Sequence, residues 1–370
     1  MKPGGLTIAQ LVPALDAGGA ERSALEIGRA LVAAGHRSIV ISSGGHMVEQ
    51  LVAEGSEHVT LPIGRKSLAS LALVPKLRAL FRREQVDIVH ARSRLPAWLG
   101  WLALRGRSMR AHFVTTAHGL NRPSFYSGVM ARGERVICVS NTVRDYLLHN
   151  YPQAEPAKLV VIPRGVDPEA FPYGYQPDTT WREWFFAEFP QLAGAPLLTL
   201  PGRGTRLKGH ADAIELVADL KTRGIDTRLL LLGARQVGRE AYIAELEQLA
   251  QARGVADRIA ISAQRDDPRD VYAASALVLQ LSNKPESFGR TVIEALSLCR
   301  PVLGYDHGGV GELLADLYPA GRVPPGERER LTERAAELLR YAPAIAPLQR
   351  YRLVDMQAAT LALYGELTRR

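Results

Sequence analysis

Apolar residues along the chain gather in short β-rich runs, and the stretches between them carry apolar positions at helical spacing. In the first half the runs predict strands over Leu6–Pro13, Arg37–Ser43, His58–Ile63, Asp87–Ser93, His112–His118, Arg135–Ser140 and Leu159–Pro163. Helical patterns fill most of the gaps; Leu73, Leu77, Leu80 and Phe81, for example, fall on one helix face. Such alternation is the mark of βαβ units around a parallel sheet.

The pattern breaks between Phe171 and Pro196, where prolines flank the aromatic run Trp181-Arg182-Glu183-Trp184-Phe185-Phe186. This reads as an interdomain connection with a short helix. Alternation then restarts, with strands expected over Pro196–Gly202, Thr227–Gly233, Asp257–Ser262, Leu277–Ser282 and Pro301–Asp306. Helical segments such as His210–Arg223 and Glu240–Arg253 separate them, and two more, Glu327–Tyr341 and about Leu348–Arg370, end the chain. Two successive series predict two doubly wound α/β domains with a cleft between them and ligands at the carboxyl ends of the strands.

Composition narrows the class. With 370 residues, 46% hydrophobic and 23% charged, the chain is neither disordered nor collagen-like. Its two cysteines, Cys138 and Cys299, exclude a disulfide framework and a CxxC zinc site, and fit a reducing cytoplasm. The best apolar run, Trp98 to Leu104, stops at Arg105, well short of the roughly 18 residues of a spanning helix. Asp16, Glu21 and Arg22 break any signal-peptide core. A soluble, cytoplasmic protein is expected.

The net charge of +8 is localised. Residues 61–110 carry Arg65, Lys66, Lys76, Arg78, Arg82, Arg83, Arg92, Arg94, Arg105, Arg107 and Arg110 against only Glu84 and Asp87. The rest of the chain is close to neutral.

Candidate chemistry clusters at strand-to-helix turns. After the first strand, Asp16-Ala17-Gly18-Gly19-Ala20-Glu21-Arg22 offers glycines and a helix N-terminus to an anion, although GxGxxG is not matched. The second series opens with Pro201-Gly202-Arg203-Gly204-Thr205-Arg206-Leu207-Lys208-Gly209-His210. There Arg203 supplies a planar fork of donors and Lys208 a point charge, which together suit a diphosphate. The most informative segment is Lys284-Pro285-Glu286-Ser287-Phe288-Gly289-Arg290-Thr291-Val292-Ile293-Glu294. Glu286 precedes the helix and can face a polyhydroxylated ligand; Glu294 lies inside it and can accept from a vicinal diol. Between them, N–H groups around Phe288 to Thr291 sit at the positive end of a helix dipole. His118, in Thr115-Thr116-Ala117-His118-Gly119, ends a strand on the cleft side. Val139-Ser140-Asn141, Val161-Ile162-Pro163-Arg164-Gly165-Val166-Asp167 and Gly308-Gly309-Val310-Gly311-Glu312 mark further strand ends or helix starts.

In this order the segments resemble the retaining glycosyltransferases of the GT-B fold, specifically family 4. The strongest element is Glu-x7-Glu, from Glu286 to Glu294, preceded at the right distance by Gly-Arg-x4-Lys-Gly. The resemblance implies two Rossmann-like domains facing a cleft, here 1–170 on the acceptor side and 171–345 for a nucleotide-sugar. It also implies a C-terminal helix, 346–370, crossing back to the first domain. Arg203 and Lys208 would bind the donor diphosphate, Glu294 the ribose, and Glu286, Phe288, Gly289, Arg290 and Thr291 the sugar and phosphate. His118 would lie near the donor sugar, and Gly18 and Gly19 near phosphate or acceptor. Arg164 stands where many relatives carry Asn, and Arg290 replaces a common apolar residue; both bear on donor selectivity.

Chemistry and resemblance agree on mechanism. Charge growing on the departing phosphate is met by Arg203, Lys208 and the helix N-terminus near Gly289. No Asp-x-Asp occurs, so transfer is expected to proceed without metal or cofactor, the acceptor attacking from the leaving group's face. UDP is the expected nucleotide and a lipid-linked or lipopolysaccharide-type saccharide the expected acceptor, both from the resemblance. The basic window suggests docking to an anionic membrane on its cytoplasmic side, or simply a solvated helix face; nucleic acid is not indicated. Three other readings stay open: a sugar-nucleotide epimerase or a phosphorylase of the same fold, and a nucleotide-sugar-binding subunit without turnover.

Overall fold

In the computed structural model, which describes residues 5–16, 18–105 and 109–369, the alternation resolves into two parallel sheets. They belong to two units, Met1–Pro163 with Leu353–Arg370, and Arg164–Arg352. Ala17 of the first glycine turn and Arg107 of the basic window lie outside the described residues.

The first unit runs β1 (Thr7–Leu11), α1 (Gly19–Ala33), β2 (Arg37–Ser42), α2 (Val48–Ala53), β3 (Glu57–Thr60), α3 (Leu73–Arg83), β4 (Ile88–Ala91), α4 (Arg94–Leu104), β5 (His112–Ala117), β6 (Arg135–Cys138), α5 (Asn141–Asn150) and β7 (Leu159–Val161). Its strands are ordered β3-β2-β1-β4-β5-β6-β7. The order reverses between β1 and β4, which pair in parallel with Ile8 opposite Ile88.

The second unit runs α6 (Thr179–Glu188), β8 (Leu197–Pro201), α7 (His210–Thr222), β9 (Arg228–Leu232), α8 (Glu240–Ala252), β10 (Ile259–Ile261), α9 (Pro268–Ala274), β11 (Leu277–Gln280), α10 (Arg290–Ser297), β12 (Val302–Tyr305), α11 (Gly308–Leu317), β13 (Arg322–Val323) and α12 (Arg328–Arg340). Its order is β10-β9-β8-β11-β12-β13, reversing between β8 and β11. The two-residue β13, paired through Gly304–Arg322 and Tyr305–Val323, is too short to leave a periodicity and was not expected.

The helix expected within the connection is α6. Asp178 caps it by accepting from the Trp181 N–H at 2.7 Å, and the Trp181 ring stacks on Phe185. The final helix, α13 (Leu353–Thr368), starts later than the apolar pattern suggests. Just before it, Tyr351 has φ of 59° and its carbonyl accepts from the Val166 N–H at 2.8 Å, so the chain there is not helical.

Packing explains why α13 returns to the first unit. Leu353, Met356, Leu363, Tyr364 and Leu367 share one core with Ile8, Ile27, Leu31, Ile88, Val114 and Ile137. On a second face Leu77, Leu80 and Phe81 of α3 pack with Leu11, Ile39, Val89, Leu99 and Phe113, the stripe its spacing predicts. Each large side chain so buried contributes about 1.5–3 kcal/mol.

Candidate functional site

Because β8 and β11 are neighbours at the reversal of strand order, the loops that leave them meet at the carboxyl edge of the second sheet. Asn283 joins the two loops: its N–H donates to the Leu207 carbonyl at 2.8 Å, and its side-chain amide donates to the Arg206 carbonyl at 3.2 Å. The approach requires glycine at 209. Its φ is 75°, and a Cβ there would lie 1.9 Å from the Leu281 carbonyl oxygen.

This crossing aims Lys208 at the second loop. Its stem passes over Gly202, and its Nζ donates to Oε1 of Glu286 at 2.6 Å. The Ser282 hydroxyl donates to the same oxygen. Beyond the loop, Phe288 buries its ring near Tyr351, with centroids 6.2 Å apart, so it offers a ligand its backbone rather than its side chain. Gly289, with φ of 115°, turns the chain into α10, and Glu294 is buried on the helix's second turn. Thr291 and Arg290 are half-buried, and Arg203 is exposed beside the loop. His210, under the loop at the start of α7, is fully buried with Nδ1 3.3 Å from the Tyr242 hydroxyl. Burial pulls its pKa down to about 4, so it is neutral at physiological pH.

The structure thus brings together Lys208 and Glu286, with Arg203, Phe288, Gly289, Arg290, Thr291 and Glu294 on the same two loops and helix. Gly18, Gly19 and His118 belong to the first unit. Gly18 is extended and precedes α1, where the Glu21 carboxylate folds back so closely that a Cβ on Gly18 would lie 2.0 Å from it. His118 follows β5 and is half-buried.

Sequence reasoning missed Ser282 and His307. Ser282 looked like the end of a strand; His307, whose Nε2 lies 2.8 Å from the Ser282 carbonyl, stood unremarked before Gly308-Gly309. Arg92, counted in the basic window by its charge, is instead buried after β4 and donates through Nε and Nη2 to the Gln10 side chain at 2.9 and 2.6 Å.

Residues 17–170 match the family model described as Glycosyltransferase Family 4, and residues 184–348 match Glycosyl transferases group 1. The chain belongs to the glycosyltransferases. This glycosyltransferase is 26% identical to the D-inositol 3-phosphate glycosyltransferase of Xylanimonas cellulosilytica, over 80% of this chain and 76% of that protein. The crystal structure of a glycosyltransferase from Rickettsia africae superposes with a TM-score of 0.85 at 28% identity, covering 98% of this chain and 99% of that one. Anabaena HepE, solved in complex with UDP and glucose, has a TM-score of 0.78 at 21% identity, covering 98% and 100%. The fold of these solved structures is GT-B, as expected from the sequence.

The glycosyltransferase's basic window is unevenly used. Arg78 donates to the carbonyls of Leu102, Ala103 and Arg105, closing the end of α4. Arg92 is buried, whereas Arg65, Lys66, Lys76, Arg82, Arg83, Arg105 and Arg110 are exposed. Beside Arg105 lies an aromatic cluster that the charge count did not reveal. Trp98 contacts Trp101 and Phe125 at 5.5 and 5.3 Å between centroids, and Phe125 is 78% exposed. Arg132 lies over all three rings and Arg105 over Trp101. Among the described residues no helix is long and apolar enough to cross a membrane.

Proposed function

We propose that the enzyme is a retaining glycosyltransferase that moves a sugar from a nucleotide-sugar, UDP-linked by preference, to a lipid-linked or lipopolysaccharide-type saccharide. The observation that carries the donor half is the convergence of Lys208 and Glu286 at the β8/β11 reversal, beside the N-terminus of α10. A cation and a carboxylate meeting there suit the two ends of a sugar diphosphate.

On this reading the second unit takes the donor and the first the acceptor. Arg203 and Lys208 stabilise the diphosphate as it departs, Glu286 holds the sugar, and Glu294 the ribose. The backbone from Phe288 to Thr291 adds N–H donors at the positive end of α10. His118, Gly18 and Gly19 keep the roles the family resemblance implies. The acceptor hydroxyl attacks from the face the phosphate leaves, which retains configuration without metal or cofactor.

The lipid half of the proposal rests on residues 61–110. The window's exposed cations include Arg105, which lies over Trp101 in the ring cluster of Trp98, Trp101 and Phe125, and basic groups with exposed rings suit an anionic membrane surface or glycolipid head group.

A thermal-shift panel of UDP-, GDP- and ADP-sugars tests the donor site, with hydrolysis assays on the hits. The correct donor raises the melting temperature and is slowly hydrolysed. Failure of all three nucleotide classes to stabilise the protein rejects the assignment; stabilisation without turnover favours a binding subunit.

A further inference from the structure

Lys208 and Ser282 converge on one oxygen of Glu286. The ammonium lies 2.6 Å from Oε1, and the serine hydroxyl donates to the same atom. Oε2 receives neither bond. A carboxylate held through one oxygen presents the other in a defined direction. The Lys208 and Glu286 side chains remain 25% and 23% exposed, so a ligand can reach the pair.

The lysine therefore has two claims on it. In the structure its charge is met by Glu286. A diphosphate brings more negative charge than one carboxylate and competes with it for the lysine, while the carboxylate itself repels the diphosphate. The serine bond is different, because its donor is neutral and has no reason to follow the phosphate.

Ser282 is also firmly held. It is buried, and its carbonyl lies 2.8 Å from Nε2 of His307. Glu286 is held in the same way, its carbonyl accepting from the Gly309 N–H at 2.8 Å. Gly308 and Gly309 pass so close that a Cβ would lie 2.7 Å from the Glu286 carbonyl oxygen or 2.4 Å from Cα of Phe288. Residues 307–309 are thus the bed on which the Ser282–Phe288 loop lies.

We propose that Lys208 is shared between Glu286 and the donor diphosphate, and that Ser282 is the positioning residue that keeps Glu286 aligned on the sugar once the lysine has turned to phosphate. The proposal rests on the donor-site reading above. It separates two tasks that one ion pair would otherwise combine.

Calorimetric titration of the whole protein tests it. UDP, GDP and ADP are titrated first; the one that binds is then compared with its glucose conjugate. Glu286→Gln frees the lysine and removes the repelling charge, so the bare diphosphate binds roughly three- to fivefold more tightly, the size of a partly exposed ion pair. The conjugate gains nothing, because its sugar contact is weakened. Ser282→Ala leaves the bare diphosphate within about twofold and weakens the conjugate about five- to tenfold, the loss of one hydrogen bond to a charged group. A folding defect would weaken both ligands alike, so the split between them is the diagnostic. Unchanged or weaker diphosphate binding in Glu286→Gln overturns lysine sharing. Equal loss of both ligands, or of neither, in Ser282→Ala overturns the positioning role. If the wild-type protein binds none of the three diphosphates, the donor-site reading itself falls, and this proposal with it.

Discussion

The hydroxyl of Tyr364 lies 2.5 Å from Nδ1 of His90, joining the last helix of the chain to the middle of the first sheet. On its other side His90 reaches the Thr116 hydroxyl at 2.6 Å, so the imidazole bridges α13 and β5 from its place in β4. All three side chains are buried, and burial raises the Tyr364 pKa further above its usual value, keeping it a neutral phenol. This polar bridge, with the Gln357 side chain donating to the Glu26 carbonyl at 2.8 Å, fixes the register of a helix whose buried face is mainly apolar.

Tyr364→Phe tests that bridge with little change in volume. The ring keeps its edge-on contact with His90, 5.8 Å between centroids, while the imidazole loses a buried partner. The expected cost is about 1–3 kcal/mol, read from denaturant unfolding with unchanged slope. A loss below about 0.5 kcal/mol would show that the Tyr364 hydroxyl adds nothing to what holds α13.

Gly209 and Gly224 have nearly the same backbone, with φ of 75° and 76°, and differ in what surrounds them. A Cβ at 224 meets nothing within 4 Å, so Gly224→Ala carries only the left-handed backbone penalty, about 1–2 kcal/mol. A Cβ at 209 would strike the Leu281 carbonyl and force apart the loops that align Lys208 with Glu286. Gly209→Ala is therefore expected to cost about 3 kcal/mol or more and to weaken nucleotide-sugar binding, whereas Gly224→Ala leaves binding intact. Similar melting temperatures for the two variants would contradict this account.

His210 gives the fold a distinct acid sensitivity. Its pKa is pulled from 6.5 to about 4 by burial, so between those values the unfolded chain takes up a proton that the folded one refuses. Stability from this residue is complete above about pH 6.5 and is lost as pH falls towards 4, by up to about 3 kcal/mol. Paired carboxylates such as Asp219, held below its usual range by Arg328, also lose stability in acid, so the test is a difference. Unfolding free energies of the wild type and His210→Phe, compared between about pH 7 and about pH 4.5, are expected to fall less in the variant. Parallel curves would remove His210 as a cause.

Most of this architecture was legible because periodicity reports burial. The α3 stripe of Leu73, Leu77, Leu80 and Phe81 is buried as its spacing requires, and every expected strand is present within a few residues. β13 escaped because two residues cannot show a period, and the start of α13 was misjudged because a positive φ at Tyr351 leaves no apolar signature. In the site, charged residues near glycine turns announced themselves by type and spacing. Ser282 and His307 did not, since their importance lies in which side chain or carbonyl each one meets, a relation made by the β11–β12 neighbourhood. The aromatic cluster was hidden for a related reason: Trp98 and Phe125 are far apart in sequence and meet only after folding.

That cluster supplies the last prediction. Phe125 is 78% exposed although large and apolar, and its neighbours Trp98 and Trp101 carry the guanidinium of Arg132 over their faces. Phe125→Ser removes little packed surface, so the expected stability change is within about 0.5 kcal/mol. Lys76→Glu, on the exposed side of α3, likewise leaves the core residues Leu73 and Leu77 in place. Phosphatidylglycerol-containing vesicles are expected to bind the wild type better than pure phosphatidylcholine vesicles, and less well as salt rises. Each substitution should weaken the anionic interaction several-fold, Phe125→Ser through lost insertion at the interface and Lys76→Glu through about 1 kcal/mol or more of electrostatic attraction. The salt dependence should fall only for Lys76→Glu, because insertion of a ring releases no counterions. Equal binding of anionic and neutral vesicles at low salt would reject the membrane reading, leaving the basic face as solvated surface.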